Sequence, residues 1–237
     1  MSERRRQIIA IGGGGFSTEP ENAALDRYVL AQARRSNPAV CFLATASGDA
    51  DAYIARFYAA FTKYRCRPSH VPLFGRTPDL EVVLSAQDVI CVGGGNTKSM
   101  LAVWRDWHLP ALLRRAWRSG IVLAGVSAGA ICWFDFGVTD SWANRLAGLP
   151  CLGFLPGTCC PHYDGEPERR PALQRLVAER SVPTALALDD GAAAHFVGRK
   201  LARIVSSRSN ARGYRVHRST SQSIETALPA VRLSKQR

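Results

Sequence analysis

The sequence of 237 residues lacks the ~18 uninterrupted apolar residues that a membrane-spanning helix needs. Its amino-terminal stretch, MSERRRQIIAIGGGG, contains only IIAI as an apolar run, which is too short for the core of a secretory signal peptide. We therefore expect a cytoplasmic protein that does not bind a membrane.

Acidic residues are also scarce, because 19 Asp and Glu stand against 31 Lys and Arg, giving a formal net charge of +12. Such an excess raises the question of nucleic-acid binding. The arginines are scattered along the chain in pairs and triplets, however, and no recognised nucleic-acid motif accompanies them. We expect a generally basic surface and no nucleic-acid partner.

The chain has seven cysteines, so they cannot all be paired in intramolecular disulfides. An odd number in a chain of this length argues against a disulfide framework. Cys159, Cys160 and His162 lie close together in the sequence, but no fourth ligand follows at a spacing typical of zinc sites. We expect neither a metal nor another cofactor.

The sequence does have a regular alternation of apolar strands and amphipathic helices up to residue 134, which is typical of a parallel sheet covered on both faces. Beyond that point, strands separated by turns predict extra hairpins. We therefore predict an α/β fold, a three-layer αβα sandwich around a mostly parallel sheet. We expect one domain over residues 1–217 and a carboxyl-terminal tail of low order over residues 218–237.

The stretch AGVSAGAICWF, residues 124–134, places Ser127 between an apolar strand and a helix. The pattern G-x-S-x-G is typical of a nucleophile elbow, a sharp turn that presents the hydroxyl at the carboxyl edge of a sheet. The same pattern fits a serine that caps a buried helix, with glycines needed only for close packing. Ser127 is therefore a candidate nucleophile.

A second glycine-rich turn, CVGGGNTKSM at residues 91–100, follows the preceding strand. Its unshielded N–H groups suit an oxyanion hole, and we expect Gly94 or Gly95 to form one together with the N–H of Ala128. The turn does not have the spacing of a phosphate-binding loop. A similar turn, IGGGGFS at residues 11–17, either lines the same pocket or serves only as a turn.

A serine nucleophile needs a base, and His162 is our candidate among five histidines because its loop is rich in proline, glycine and charge. Two carboxylates remain open as the group that orients the histidine. Asp140 is favoured because a strand end can reach a histidine loop. Asp135 is expected at the end of the helix after Ser127, where the helix dipole disfavours a carboxylate.

The motifs VGGGNT, GVSAGAICWF and PHYDGEPERRP resemble the peptidase E family of aspartyl dipeptidases and, less closely, the cyanophycinases. The resemblance extends from about residue 6 to about residue 217. It implies a flavodoxin-like fold similar to that of the class I glutamine amidotransferases. It also implies a serine peptidase with the chain order Ser, acid, His, which fits Ser127, Asp140 and His162. Because the acid varies within the family, Asp135 stays open.

The resemblance further implies a short peptide substrate, such as a dipeptide with an acidic amino-terminal residue. Asn96 is expected to contact this substrate, and Arg169 or Arg170 to bind its acidic side chain. The positions of the two arginines are equally consistent with the solvent-exposed face of a helix that has no contact with substrate. The alternative functions are a glutaminase-like amidohydrolase and a non-catalytic relative that binds small molecules. For the oligomeric state, we retain a homodimer as an alternative to a monomer.

Overall fold

The computed structural model describes residues 6–142 and 145–234, and within them the larger sheet has eight strands. Five neighbouring strands, β1, β5, β4, β2 and β3, are parallel, whereas β10 is antiparallel to β1. In spatial order the strands are β14 (Ala230–Arg232), β11 (Lys200–Ser206), β10 (Ala192–Val197), β1 (Gln7–Ile11), β5 (Val122–Val126), β4 (Val89–Val92), β2 (Ala39–Leu43) and β3 (Arg67–His70).

Successive side chains of the parallel strands enter two different apolar cores. Ile8 and Ala10 of β1 belong to one buried cluster, and Ile9 and Ile11 belong to the other. Strands that are buried on both faces need apolar residues at every position, which explains their continuous apolar sequences. The predicted three-layer αβα arrangement is confirmed.

Helices cover both faces of this sheet. Side chains of α4, α5 and α6 fill one cluster, and side chains of α1, α2 and α3 fill the other. The helices are α1 (Gly15–Thr18), α2 (Ala24–Leu30), α3 (Asp51–Phe61), α4 (Leu80–Ser85), α5 (Thr97–Asp106), α6 (Leu109–Arg118), α7 (Ala128–Ile131) and α8 (Arg169–Ala178). No helix among the described residues is long and apolar enough to cross a membrane.

Most strands beyond residue 134 form a second sheet of six strands. The hairpins β6–β7 and β12–β13 are antiparallel, as expected for this half, while β8 is parallel to both of its neighbours. In spatial order the strands are β13 (Gln222–Leu228), β12 (Gly213–Ser219), β9 (Ala185–Leu188), β8 (Leu155–Cys160), β6 (Phe134–Trp142) and β7 (Arg145–Pro150).

The expected low order of residues 218–237 is wrong for most of that segment. Residues 222–228 form β13, and residues 230–232 form the edge strand β14 of the larger sheet. In β13 exposed and half-buried residues alternate from Gln222 to Thr226, with Ile224 exposed and Glu225 half-buried. The polar composition of this segment is therefore compatible with a regular strand. Residues 235–237 lie outside the described residues.

The two sheets share an apolar core. One buried cluster contains Ile8 and Leu123 of the larger sheet together with Phe134, Leu155 and Cys159 of the smaller one. The same packing brings the carboxyl ends of β1 and β5 close to the loop that follows β8, where the candidate site lies.

Candidate active site

Ser127 directly follows β5 and precedes α7, as predicted. Its φ of 57° and ψ of −115° are rare for a residue other than glycine, and its N–H donates a hydrogen bond to the carbonyl of Ile11 at 3.1 Å. A Cβ atom on Gly125 would lie 2.2 Å from the carbonyl oxygen of Gly129. The glycines flanking the serine therefore allow a tight, strained turn that a larger side chain would block.

His162 is held by a carboxylate that the sequence analysis missed. Its Nδ1 lies 2.6 Å from Oδ1 of Asp190, and the two side chains are 16% and 22% exposed. Burial by itself raises the pKa of Asp190, but the hydrogen bond and charge of His162 lower it, and the net shift is downward. An ionised carboxylate on Nδ1 orients the ring and leaves Nε2 to act as the base.

Neighbouring parallel strands explain why this pair forms. Cys160 at the end of β8 pairs with Ala187 of β9. His162 lies two residues beyond β8, and Asp190 lies two residues beyond β9. Because the carboxyl ends of adjacent parallel strands meet at one edge of a sheet, residues separated by 28 positions come into contact.

The glycine-rich turn after β1 connects the histidine to the serine. The N–H of His162 donates to the carbonyl of Gly12 at 3.2 Å, and the N–H of Gly191 donates to that of Gly13 at 2.8 Å. A Cβ atom on Gly13 would lie 1.9 Å from Oδ1 of Asp190 and 2.9 Å from Nδ1 of His162. The turn packs so closely against the pair that it has no room for a side chain.

Ser127 and His162 line one cleft with a volume of about 370 Å³. Tyr53, Arg56 and Gly94 also line it, and none of the described residues that line it is acidic. In the part of the chain that the structure describes, no hydrogen bond joins the Ser127 hydroxyl to the His162 ring. Such bonds commonly tighten only when substrate is bound.

Of the predicted oxyanion-hole residues, Gly94 and Ala128 adjoin the serine, whereas Gly95 packs against Ala46. A Cβ atom on Gly94 would be 3.2 Å from Cβ of Ser127, so the second glycine-rich turn packs against the nucleophile. The N–H of Gly94 donates to the hydroxyl of Tyr53 at 3.1 Å. Gly95 has a φ of 134° and is exposed, and Ala128 begins α7 directly after the serine.

Neither predicted carboxylate contacts the His162 ring, because Nδ1 faces Asp190 and not Asp140 or Asp135. Oδ1 of Asp140 lies 3.7 Å from Nη2 of Arg169, and this carboxylate is 66% exposed. Asp135 accepts a hydrogen bond from the N–H of Gly157 at 3.0 Å. Both residues belong to β6, the other neighbour of β8, whereas the histidine ring contacts the loop after β9.

The two predicted substrate arginines do not line the cleft. Arg169 is buried, where Nε lies 2.6 Å from Oε2 of Glu166 and Nη1 donates to the carbonyl of Val138 at 3.0 Å. Nη1 of Arg170 lies 3.3 Å from Oε1 of Glu225. Both guanidinium groups are thus engaged with protein groups in the second sheet.

Two further groups named in the sequence analysis have structural contacts. Asn96 caps α5, since its side chain accepts a hydrogen bond from the N–H of Ser99 at 2.9 Å. Cys159 and Cys160 are fully buried thiols in the apolar core. Within the described ranges, no group of three or more His, Cys, Asp or Glu is arranged to hold a metal ion.

Asp190 had a partial signal in the sequence, which becomes decisive only once β8 and β9 are known to be neighbours. The apolar run ALAL is followed by DDG, as the strand LPGTCC is followed by PH. Two adjacent parallel strands that each end in a polar residue place those residues at one sheet edge. Tyr53 had no comparable signal, because it lies within an ordinary amphipathic helix.

The chain matches a known peptidase family. The model of Peptidase family S51 matches residues 8–204, which is most of the chain. The chain belongs to peptidase family S51. It is 52% identical over 225 residues to the uncharacterized peptidase YgaJ of Bacillus subtilis (strain 168), covering 94% of this chain and 97% of that protein. This S51 chain is therefore a peptidase of the serine type.

Two solved structures share the fold of this S51 peptidase. A peptidase from an acI-B1 Actinobacterium matches with a TM-score of 0.66 at 14% identity, covering 95% of this chain and 98% of that one. A putative peptidase E protein from Listeria monocytogenes EGD-e matches with a TM-score of 0.61 at 15% identity, covering 95% and 100%. These matches confirm the predicted flavodoxin-like, class I glutamine amidotransferase-like architecture.

Proposed function

We propose that this S51 peptidase hydrolyses short peptides, foremost dipeptides with an acidic amino-terminal residue, through a triad of Ser127, His162 and Asp190. The observation that carries the proposal is the 2.6 Å contact between the His162 ring and Asp190, with His162 on the same cleft as the strained Ser127. A nucleophile, a base and an orienting carboxylate are the three groups that acyl transfer to serine requires.

The reaction begins when Oγ of Ser127 attacks the carbonyl carbon of the scissile peptide bond, while Nε2 of His162 takes the hydroxyl proton. The negative charge that develops on the carbonyl oxygen is stabilised by backbone donors, of which the N–H of Ala128 is the nearest along the chain. His162 then gives its proton to the leaving amine as the C–N bond breaks. A water molecule hydrolyses the acyl-enzyme by the same steps and regenerates the serine.

Asp190 stabilises the imidazolium that forms when His162 takes the proton. The pKa of Asp190 is lowered despite its burial, so the carboxylate is ionised at neutral pH. Its hydrogen bond to Nδ1 also selects the ring tautomer whose Nε2 can accept the serine proton.

The properties of the cleft favour a small substrate that carries a negative charge. The cleft volume of about 370 Å³ is at the lower end of the range for small-molecule sites. Arg56 lies on its wall, and the ion pairs among the described residues give this arginine no carboxylate partner. Arg56 therefore takes the place of Arg169 and Arg170 as the cation that favours an acidic peptide.

The test compares Asp-Xaa, Glu-Xaa and neutral dipeptides as substrates of the purified chain, with ammonia release from glutamine measured in parallel. Ser127→Ala should lower turnover by ~10⁴-fold or more and abolish labelling by a fluorophosphonate, because no other group supplies the acyl-accepting oxygen. Ser85→Ala, an exposed serine on α4, is the matched control and should behave as wild type. A folded Ser127→Ala protein that keeps its turnover contradicts the proposal.

A further inference from the structure

Tyr53 connects the cleft to the N–H of Gly94 and to the hydroxyl of Ser17. Its hydroxyl accepts the N–H of Gly94 at 3.1 Å and lies 2.6 Å from Oγ of Ser17. Tyr53 and Gly94 both line the cleft that holds Ser127 and His162. A phenolic hydroxyl therefore accepts the backbone N–H that we expected to face the substrate directly.

This contact changes the role that Gly94 can play. A backbone N–H has a single proton, and that of Gly94 is directed at the Tyr53 oxygen. To bind a substrate oxyanion directly, the amide would have to give up this hydrogen bond. The arrangement instead allows Gly94 to act through the tyrosine.

We propose that the hydroxyl of Tyr53 donates to the oxyanion of the tetrahedral intermediate, beside the N–H of Ala128. Gly94 and Ser17 then act as positioning groups that donate to the Tyr53 oxygen. With both lone pairs of that oxygen occupied, its own proton is the one left to point into the cleft. This inference rests on the proposed function, because it assigns a donor for that reaction.

The surroundings of Tyr53 suit a hydroxyl that keeps its proton and is held in place. Burial raises the pKa of Tyr53, while the hydrogen bonds with Ser17 and Gly94 partly oppose this shift. Arg56 lies 5.7 Å from the centre of the tyrosine ring and donates to the carbonyl of Ser17 at 2.6 Å. A chain of hydrogen bonds that ends in an O–H polarises that O–H and strengthens it as a donor.

The decisive variant is Tyr53→Phe, which removes one oxygen and keeps the ring. We expect kcat for the best dipeptide to fall by ~10²–10³-fold, the usual loss for one oxyanion donor, while KM changes by less than about threefold. Tyr58→Phe is the matched control, since Tyr58 lies on the same helix but binds Nδ1 of His70 at 2.9 Å, so its kcat should be that of wild type.

The positioning role of Ser17 gives a second readout. Ser17→Ala should lower kcat by a smaller factor, and the same change should have no effect in the Tyr53→Phe background, because Ser17 acts only through the tyrosine. A peptide aldehyde that forms a hemiacetal oxyanion with Ser127 should bind Tyr53→Phe more weakly by the same factor as kcat/KM. Binding of the dipeptide's products should not change.

Three results would overturn the proposal: a Tyr53→Phe kcat equal to or above that of wild type, an equal effect of Ser17→Ala in both backgrounds, or unchanged aldehyde affinity. Thermal unfolding of each variant verifies that the fold persists. If wild type hydrolyses dipeptides through Ser127 and only Tyr53→Phe fails to respond, the oxyanion donor is wrong and the proposed function stands. If Ser127→Ala keeps its turnover, the proposed function itself fails.

Discussion

The serine side and the histidine side of the cleft are built in different ways. Ser127 is positioned by its own neighbours, because Gly125 and Gly129 allow the turn and the strand before it is buried in the larger sheet. His162 and Asp190 are separated by 28 positions and meet only because β8 and β9 are adjacent in the smaller sheet. A local motif therefore encodes the proposed nucleophile, whereas sheet topology brings the proposed acid to the histidine.

The two sides nevertheless share one anchor at the end of β1. Ser127 and His162 both have a positive φ, of 57° and 53°. The N–H of Ser127 is bound by the carbonyl of Ile11, and that of His162 by the carbonyl of the next residue, Gly12. Two strained residues from different sheets are thus held by consecutive carbonyls, which sets their relative position on the cleft.

The largest effect that tests this comparison is the loss of the proposed acid, Asp190. Asp190→Asn should lower kcat by ~10⁴-fold, because an amide on Nδ1 favours the wrong ring tautomer. Asp140→Asn and Asp135→Asn should each stay within a few-fold of wild type, since neither contacts the ring in the structure. All three are measured in one dipeptidase assay. A severe loss of kcat in Asp140→Asn with a mild loss in Asp190→Asn would identify Asp140 of β6 as the carboxylate that orients the histidine.

The serine side was largely predictable because its determinants are contiguous in the sequence. Alternating strands and helices predict the parallel sheet, and small residues around Ser127 predict the turn. Both inferences need only the neighbours of each residue. The loop around His162 was also recognisable, because it concentrates proline, glycine and charge after a strand.

Asp190 was not predicted because the sequence does not state which strand lies beside β8. Both β6 and β9 are parallel neighbours of β8, with Asp140 near the carboxyl end of β6 and Asp190 two residues beyond β9. Choosing between them requires the direction of the histidine ring, which depends on its contact with the turn after β1. The same limit applies to Arg169, whose burial against Glu166 is a tertiary contact.

A smaller effect should follow from disturbing the histidine side while leaving the serine untouched. Gly13→Ala places a methyl group where Oδ1 of Asp190 now lies, so the carboxylate or the ring must shift. We expect kcat to fall by roughly 10–10²-fold, the scale of a displacement of about 1 Å, while fluorophosphonate still reaches Ser127. Gly75→Ala is the control, because a Cβ atom there meets nothing within 4 Å. A Gly13→Ala enzyme with wild-type kcat would show that the turn does not position the pair.

The smallest effect concerns stability, where the pKa values of two carboxylates, Asp26 and Asp190, are shifted in opposite directions. Burial raises the pKa of Asp26 to about 7, opposed by the hydrogen bond that its Oδ2 accepts from the N–H of Phe16 at 2.9 Å. Between pH ~4 and ~7 the folded state therefore holds a proton that the unfolded state has lost, and stability falls as the pH rises. For Asp190, with its lowered pKa, stability is instead lost as the pH falls through that value.

Asp26→Asn keeps an acceptor for Phe16 and removes the titration. Between pH 5 and pH 8, the free energy of unfolding of wild type should therefore fall by on the order of 1–3 kcal/mol relative to the variant, measured by urea denaturation at each pH. Asp106→Asn, an exposed carboxylate on α5, should keep the wild-type pH dependence. An equal pH dependence in Asp26→Asn and wild type would mean that Asp26 is already ionised near pH 5, which contradicts the raised pKa.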